Sequence, residues 1–180
     1  HVLQSVTLEK INTSDWSVIS TPLDTIKDLS INHELNGSLS VFGEQFWQLV
    51  SNQFPQIKAL LETKDIIGIS YTDRYIQNPA SIVLLGALLE PLHKKLKESA
   101  NINISTLFKA KDNIGKKVFN DWTEKHTFKL FALEWLEKKV RSKITIDIFS
   151  STKEIPHHRK LIIKFNDGNI LKLRFDQGVG

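Results

Sequence analysis

The stretch IPHHRKLIIKFNDGNILKLRF, from Ile155 to Phe175, decides the fold. Its two apolar runs, KLIIKF and NILKLRF, flank Asn166-Asp167-Gly168, and a glycine between two β runs accepts the positive φ that a tight hairpin turn demands. The chain is therefore expected to close on a C-terminal β-hairpin. Directly in front of that hairpin stand His157, His158, Arg159 and Lys160, so the element that fixes the fold also carries a cluster able to do chemistry.

Working outward from the hairpin, KITIDIF (143–149) alternates apolar and polar residues and predicts a strand. NINISTLF (101–108) predicts another, and DIIGISY (65–71), a continuous β-branched run, predicts a buried one. Helices fall between them. From Trp122 to Arg141, Phe128, Phe131, Ala132 and Trp135 recur at i, i+3, i+4 and i+7, which turns one stripe inward. The polar loop TDRYIQNPAS follows the first of these strands, and Asn78 or Ser81 is placed to cap a helix running from about Pro79 to Lys97. Upstream, Phe42, Phe46, Leu49 and Val50 have helical spacing, and Pro55 opens a short second helix ending near Leu61. Strands alternating with helices predict an α/β domain, a mixed β-sheet flanked by helices with a C-terminal β-hairpin. It spans residues 41–180. Residues 1–40, rich in Ser, Thr and Asn, read as an N-terminal arm with short strands that packs on this domain or links it to other parts of a parent protein.

Composition narrows the functional classes. There is no cysteine, hence no disulfide framework and no thiolate metal site, and a cytoplasmic setting is the expectation. The longest apolar run, SIVLLGALLEPL (81–92), contains a glutamate and falls short of the roughly 20 residues a membrane helix needs. The chain begins at His1 and contains no methionine, so it reads as a piece of a longer protein that continues past RFDQGVG. The net charge of +4 conceals an asymmetry: residues 1–92 hold 5 Lys/Arg against 10 Asp/Glu, and residues 93–180 hold 19 against 10. A half carrying +9 attracts phosphate polyanions, although lysine-rich helices also serve as plain solvated surface.

Two clusters are candidates for function. In α/β sheets ligands gather at the carboxyl ends of parallel strands, which places Asp73, Arg74 and Tyr75 on that rim. The aspartate can pair with the arginine, or orient it as it forks onto a phosphate, or simply cap a turn. The second cluster is His157, His158, Arg159 and Lys160. If the strand already begins there, His158 and Lys160 share a face, an arrangement in which a histidine acts as nucleophile or general acid while a lysine neutralises phosphate. Alternatively, these are polar residues at the exposed entrance of a strand. Lys109, Lys111, Lys116 and Lys117 form a basic loop that either tracks phosphates or is solvated. No metal site is expected, because His157 and His158 point apart when extended and the other histidines lack ligand spacing. No cofactor is expected either, since no phosphate loop, dinucleotide fingerprint or Gly-x-Ser-x-Gly is present. Most of the 16 aromatic residues lie on apolar stripes, leaving Trp16, Tyr75 and Trp122 to be checked for exposure.

DRYI (73–76) after the first strand, HHR (157–159) and the hairpin around NDG, closing in LRFDQGVG, resemble the phospholipase D-like fold. The closest version is the single-copy type found as the C-terminal domain of microtubule-interacting-and-trafficking (MIT) proteins. His158 and Lys160 match the first part of that superfamily's His-x-Lys motif. Phe165 stands where its acid is expected, Asp167 comes two residues later, and there is no second copy. The resemblance thus implies a phosphate-binding shape without self-sufficient hydrolysis, and a lone copy would have to form a homodimer to be active. The DRY loop and DQGVG ending also resemble C-terminal modules of large bacterial helicase-like proteins of anti-phage defence. These likenesses imply a domain that binds nucleic acid, DNA first, beside other domains of its parent. The alternatives are a phosphodiesterase or nuclease completed by dimerisation or by the parent chain, an anionic-lipid binder and an interdomain scaffold.

Overall fold

The computed structural model describes residues 2–10, 23–30, 38–108, 122 and 124–175. In chain order the elements are β1 (Val2–Lys10), β2 (Leu23–Ser30), α1 (Leu39–Gln53), α2 (Pro55–Thr63), β3 (Ile66–Asp73), α3 (Pro79–Leu89), β4 (Leu96–Leu107), α4 (Lys125–Val140), β5 (Ile144–Phe149), β6 (Arg159–Phe165) and β7 (Asn169–Phe175), with a 3₁₀ turn over Glu90–Lys95. The strands form one mixed sheet in the order β2-β1-β7-β6-β3-β4-β5. β3, β4 and β5 are parallel, whereas β6 and β7 pair antiparallel and β6 lies antiparallel against β3. The two strands of the N-terminal arm extend the same sheet, β1 pairing with β7 and β2 with β1.

The hairpin forms as its sequence dictates. Gly168 has φ 84° and its N–H donates to Phe165 O at 3.2 Å, so a three-residue loop with glycine in the left-handed region joins β6 to β7. Asp167 is held by the Asn169 N–H (3.1 Å), the Asn169 side chain (2.9 Å) and Lys64 Nζ (3.4 Å). Burial costs that carboxyl some hydration, but these donors outweigh the loss and bring it below its ordinary value. Asn78 is the cap of α3, its Oδ1 accepting from the Ser81 N–H at 2.8 Å.

Two boundaries differ from the sequence expectation. α3 stops at Leu89 rather than near Lys97, because Pro91 has no N–H to donate and the chain tightens into the 3₁₀ turn. β4 therefore begins at Leu96, earlier than the expected Asn101. In α4 the buried stripe is Phe128, Ala132, Leu136 and Val140, a continuous i, i+4 row, and Phe131 and Trp135 flank it half-buried.

Both parallel crossovers, β3-α3-β4 and β4-α4-β5, advance in one direction across the sheet, and right-handed connections then put α3 and α4 on the same face. α1 joins them there. Trp47 Nε1 donates to Leu88 O at 2.8 Å, and the two helices approach so closely that a Cβ on Gly43 would lie 1.8 Å from Ala87 O. Under these helices the register aligns Leu173, Leu161, Tyr71, Ile104 and Ile146, all buried, in one apolar row. Successive residues of a strand face opposite ways, so the intervening positions form the other face. There the rows read Arg174, Lys160, Thr72, Ser105, Asp147 and Lys172, Ile162, Ser70, Asn103, Thr145. No described helix covers that face.

Candidate functional site

Asp73 is the last residue of β3 and turns inward at the carboxyl end of the parallel strands, only 2% exposed. Its Oδ2 accepts from the Tyr71 hydroxyl at 3.2 Å, and its Oδ1 accepts from the Tyr75 N–H at 2.8 Å and from Arg159 Nε at 3.4 Å. Burial pushes this carboxyl above its ordinary value, against the pull of the Tyr75 N–H, the Arg159 charge and the Tyr71 hydroxyl. The carboxylate shapes the loop and aims the arginine.

The arginine in turn meets an exposed ring. The Arg159 guanidinium lies over the ring of Tyr75 at 4.6 Å from its centroid, and Tyr75, 45% exposed, brings its hydroxyl 3.5 Å from His157 Nε2. Asp73, Tyr75, His157 and Arg159 thus converge, joining the loop after β3 to the entrance of β6. The group sets a guanidinium, a phenol and an imidazole beside an exposed ring against which a base can lie.

Arg74 serves a different purpose. Its guanidinium donates to Ile155 O from both Nε (2.8 Å) and Nη2, and to Thr152 O at 2.5 Å. The fork is occupied by backbone carbonyls, so Arg74 ties the loop before β6 to the loop after β3. His158 and Lys160 also part from the rim group. Lys160 is opposite Arg174 and Thr72, on the face that no described helix covers, and Arg174 Nη2 is 2.5 Å from His158 Nδ1. A guanidinium can only donate, so in this contact the ring nitrogen is the acceptor. The cluster in the HHRK segment is consequently split by the strand's alternation: Arg159 to the helix-side rim, Lys160 to the open face.

Lys109, Lys111, Lys116, Lys117 and Trp16 lie outside the described residues. Trp122 is buried, packing edge-on to Phe128. Sequence reasoning missed Lys164 and Arg174. Both could have been found from the hairpin register, which places Lys160, Lys164, Lys172 and Arg174 on one face once the loop is set at three residues.

Fold and rim together define an α/β module whose strand ends present cationic and aromatic side chains. Residues 25–180 match the family described as DEAD/DEAH box helicase YjiV, C-terminal domain, and the chain belongs to that family. It is therefore a helicase-associated C-terminal module. No curated protein and no solved structure matches it.

Proposed function

We propose that this chain is the phosphate-binding accessory domain of a larger intracellular, helicase-like protein, holding the backbone of a nucleic acid, DNA first, without hydrolysing it. In this reading residues 1–40 are the arm that meets other parts of the parent, and the phospholipase D-like likeness describes a phosphate-binding shape rather than an active hydrolase. The observation that carries it is the Tyr75–Arg159–His157 group, in which a buried carboxylate fixes an arginine on an exposed ring at the strand ends. Membership of a helicase C-terminal family supports a nucleic-acid partner. The competing phosphodiesterase reading needs His158 and Lys160 to act together, and it is less favoured because Arg174 Nη2 meets His158 Nδ1, leaving only Nε2 for a phosphate.

The test is a fluorescence-anisotropy titration of a labelled oligonucleotide with the full chain, from about 50 to 200 mM salt. Log affinity should fall linearly with log salt, by about 0.7 for each phosphate neutralised on a single strand. Arg159→Ala should weaken binding, and the oligonucleotide should be recovered uncut. Binding without a salt slope would refute the reading.

A further inference from the structure

We propose that the sheet face left uncovered by the described helices is a single-strand track, with phosphates on the β6–β7 side and bases lying toward β3 and β4. This rests on the nucleic-acid reading above and names the form of the ligand and the surface that holds it. Three observations carry it.

The first is charge. Lys160 and Arg174 sit side by side, and Lys164 lies two rows further on, about 13 Å along β6. Lys164 is exposed and has no ion-pair partner among the described residues. Asp147, the acid in the first row, is at the far edge on β5, where its Oδ2 accepts from Asn103 Nδ2 at 3.1 Å.

The second is shape. β3 is irregular in register between Ile66 and Gly68 on both of its sides, and Gly68 adds no side chain there. Ile67, Gly68, Ser70, Asn101, Asn103 and Lys164 line a depression of about 300 Å³ at that point. A strand irregularity that opens a hollow beside a cation provides room for a base next to its phosphate.

The third is the chemistry of the middle of the face. Ile67 is 42% exposed, and Ile162 lies half-buried between the two cationic positions of β6. A duplex turns phosphates outward and would leave these apolar surfaces unused, whereas an unpaired strand presents phosphates and base faces together. The hydroxyl and amide groups of Thr72, Ser70 and Asn101 suit base edges and sugars.

The test uses the full chain with labelled single-stranded oligonucleotides, the matching duplex, and polyglutamate as competitor. Lys164→Glu, a change at an exposed position remote from the rim, should weaken single-strand binding for all base compositions. It should also make the salt slope shallower by about 0.7. Arg159→Ala serves as the rim control. If Lys164→Glu binds like the parent while Arg159→Ala does not, the track is wrong and the rim reading stands. Tighter binding of the duplex overturns it, as does equal displacement by polyglutamate, which would mark the face as a site for acidic protein. If the unaltered chain binds no oligonucleotide at about 50 mM salt, the underlying reading fails and the track with it.

Discussion

The two faces of this sheet are built from the same strands and do opposite work. Beneath the helices, Tyr71, Leu161, Ile163, Leu171 and Leu173 are wholly buried. One residue away along each strand, Thr72, Lys160, Ile162, Lys164 and Lys172 remain in partial or full contact with solvent. Because the side-chain period is two, stability and candidate function are written in alternate letters of a single segment. Arg159 is where the two meet: by parity it lies on the helix side, at the strand end, with its guanidinium over the exposed ring of Tyr75.

The sharpest way to break this comparison is a pair of neighbouring truncations on β6. Ile163→Ala should cost ~2–5 kcal/mol in urea unfolding, since it empties a wholly buried site. Ile162→Ala, one step along, should cost less than about 1 kcal/mol and leave the denaturant slope unchanged. Equal losses would mean that the open face is packed as well. Next in size is Arg74→Ala. Its fork onto Ile155 O and Thr152 O makes it a structural clamp, so about 2 kcal/mol of stability should go with it. Arg74→Lys should restore only part, because an ammonium cannot reproduce the planar fork. A variant that loses oligonucleotide affinity at full stability would return Arg74 to the binding surface.

Gly68→Ala tests whether the two roles trade against each other. An added Cβ would meet Asn101 O at 3.4 Å and Lys164 Cδ at 3.7 Å, ordinary contacts. The strand should therefore gain about 0.5–1 kcal/mol from a less flexible unfolded chain, while the filled hollow weakens single-strand binding. The smallest effect is one of sign. Asp73 is raised above its unfolded value, so its folded form holds the proton more tightly. Its favourable contribution is complete below the unfolded value near 3.8 and is lost as pH rises through the folded value. Relative to Asp73→Asn, the parent chain should gain stability on acidification through that window. Asp167 is lowered, so its contribution is present above its unfolded value and fades as pH falls through the folded one. Paired thermal melts of Asp73→Asn and Asp167→Asn across acid pH should therefore diverge in opposite directions.

Much of this architecture was legible because short-range chemistry decides it. Gly168 needed a positive φ, Asn78 was a cap, and β5 alternated cleanly. The rim position of Asp73 followed from expecting ligands at the ends of parallel strands, whereas its pairing with Arg159 depends on β6 running antiparallel to β3 and so beginning where β3 ends. Other parts depended on distant partners. Nothing near Arg74 in the chain indicates that carbonyls about eighty positions away will occupy its guanidinium. The stripe of α4 was misphased because Phe131 and Trp135 are apolar but pack at the margin, while Leu136 and Val140 take the buried line. A shared face for His158 and Lys160 required the strand to begin at His158, but β6 begins at Arg159, and that Lys160 lies on the open face is shown only by where the helices lie.

The central proposal is that nucleic acid engages β6, at its entrance and along its open face. The most direct measurement is a ¹H–¹⁵N NMR titration of the full chain with a short single-stranded oligonucleotide. Amide shifts should concentrate at Tyr75, His157, Arg159, Lys160 and Lys164, and fade as salt is raised. Shifts confined to α1, α2 and the 3₁₀ turn, with β6 unmoved, would contradict it.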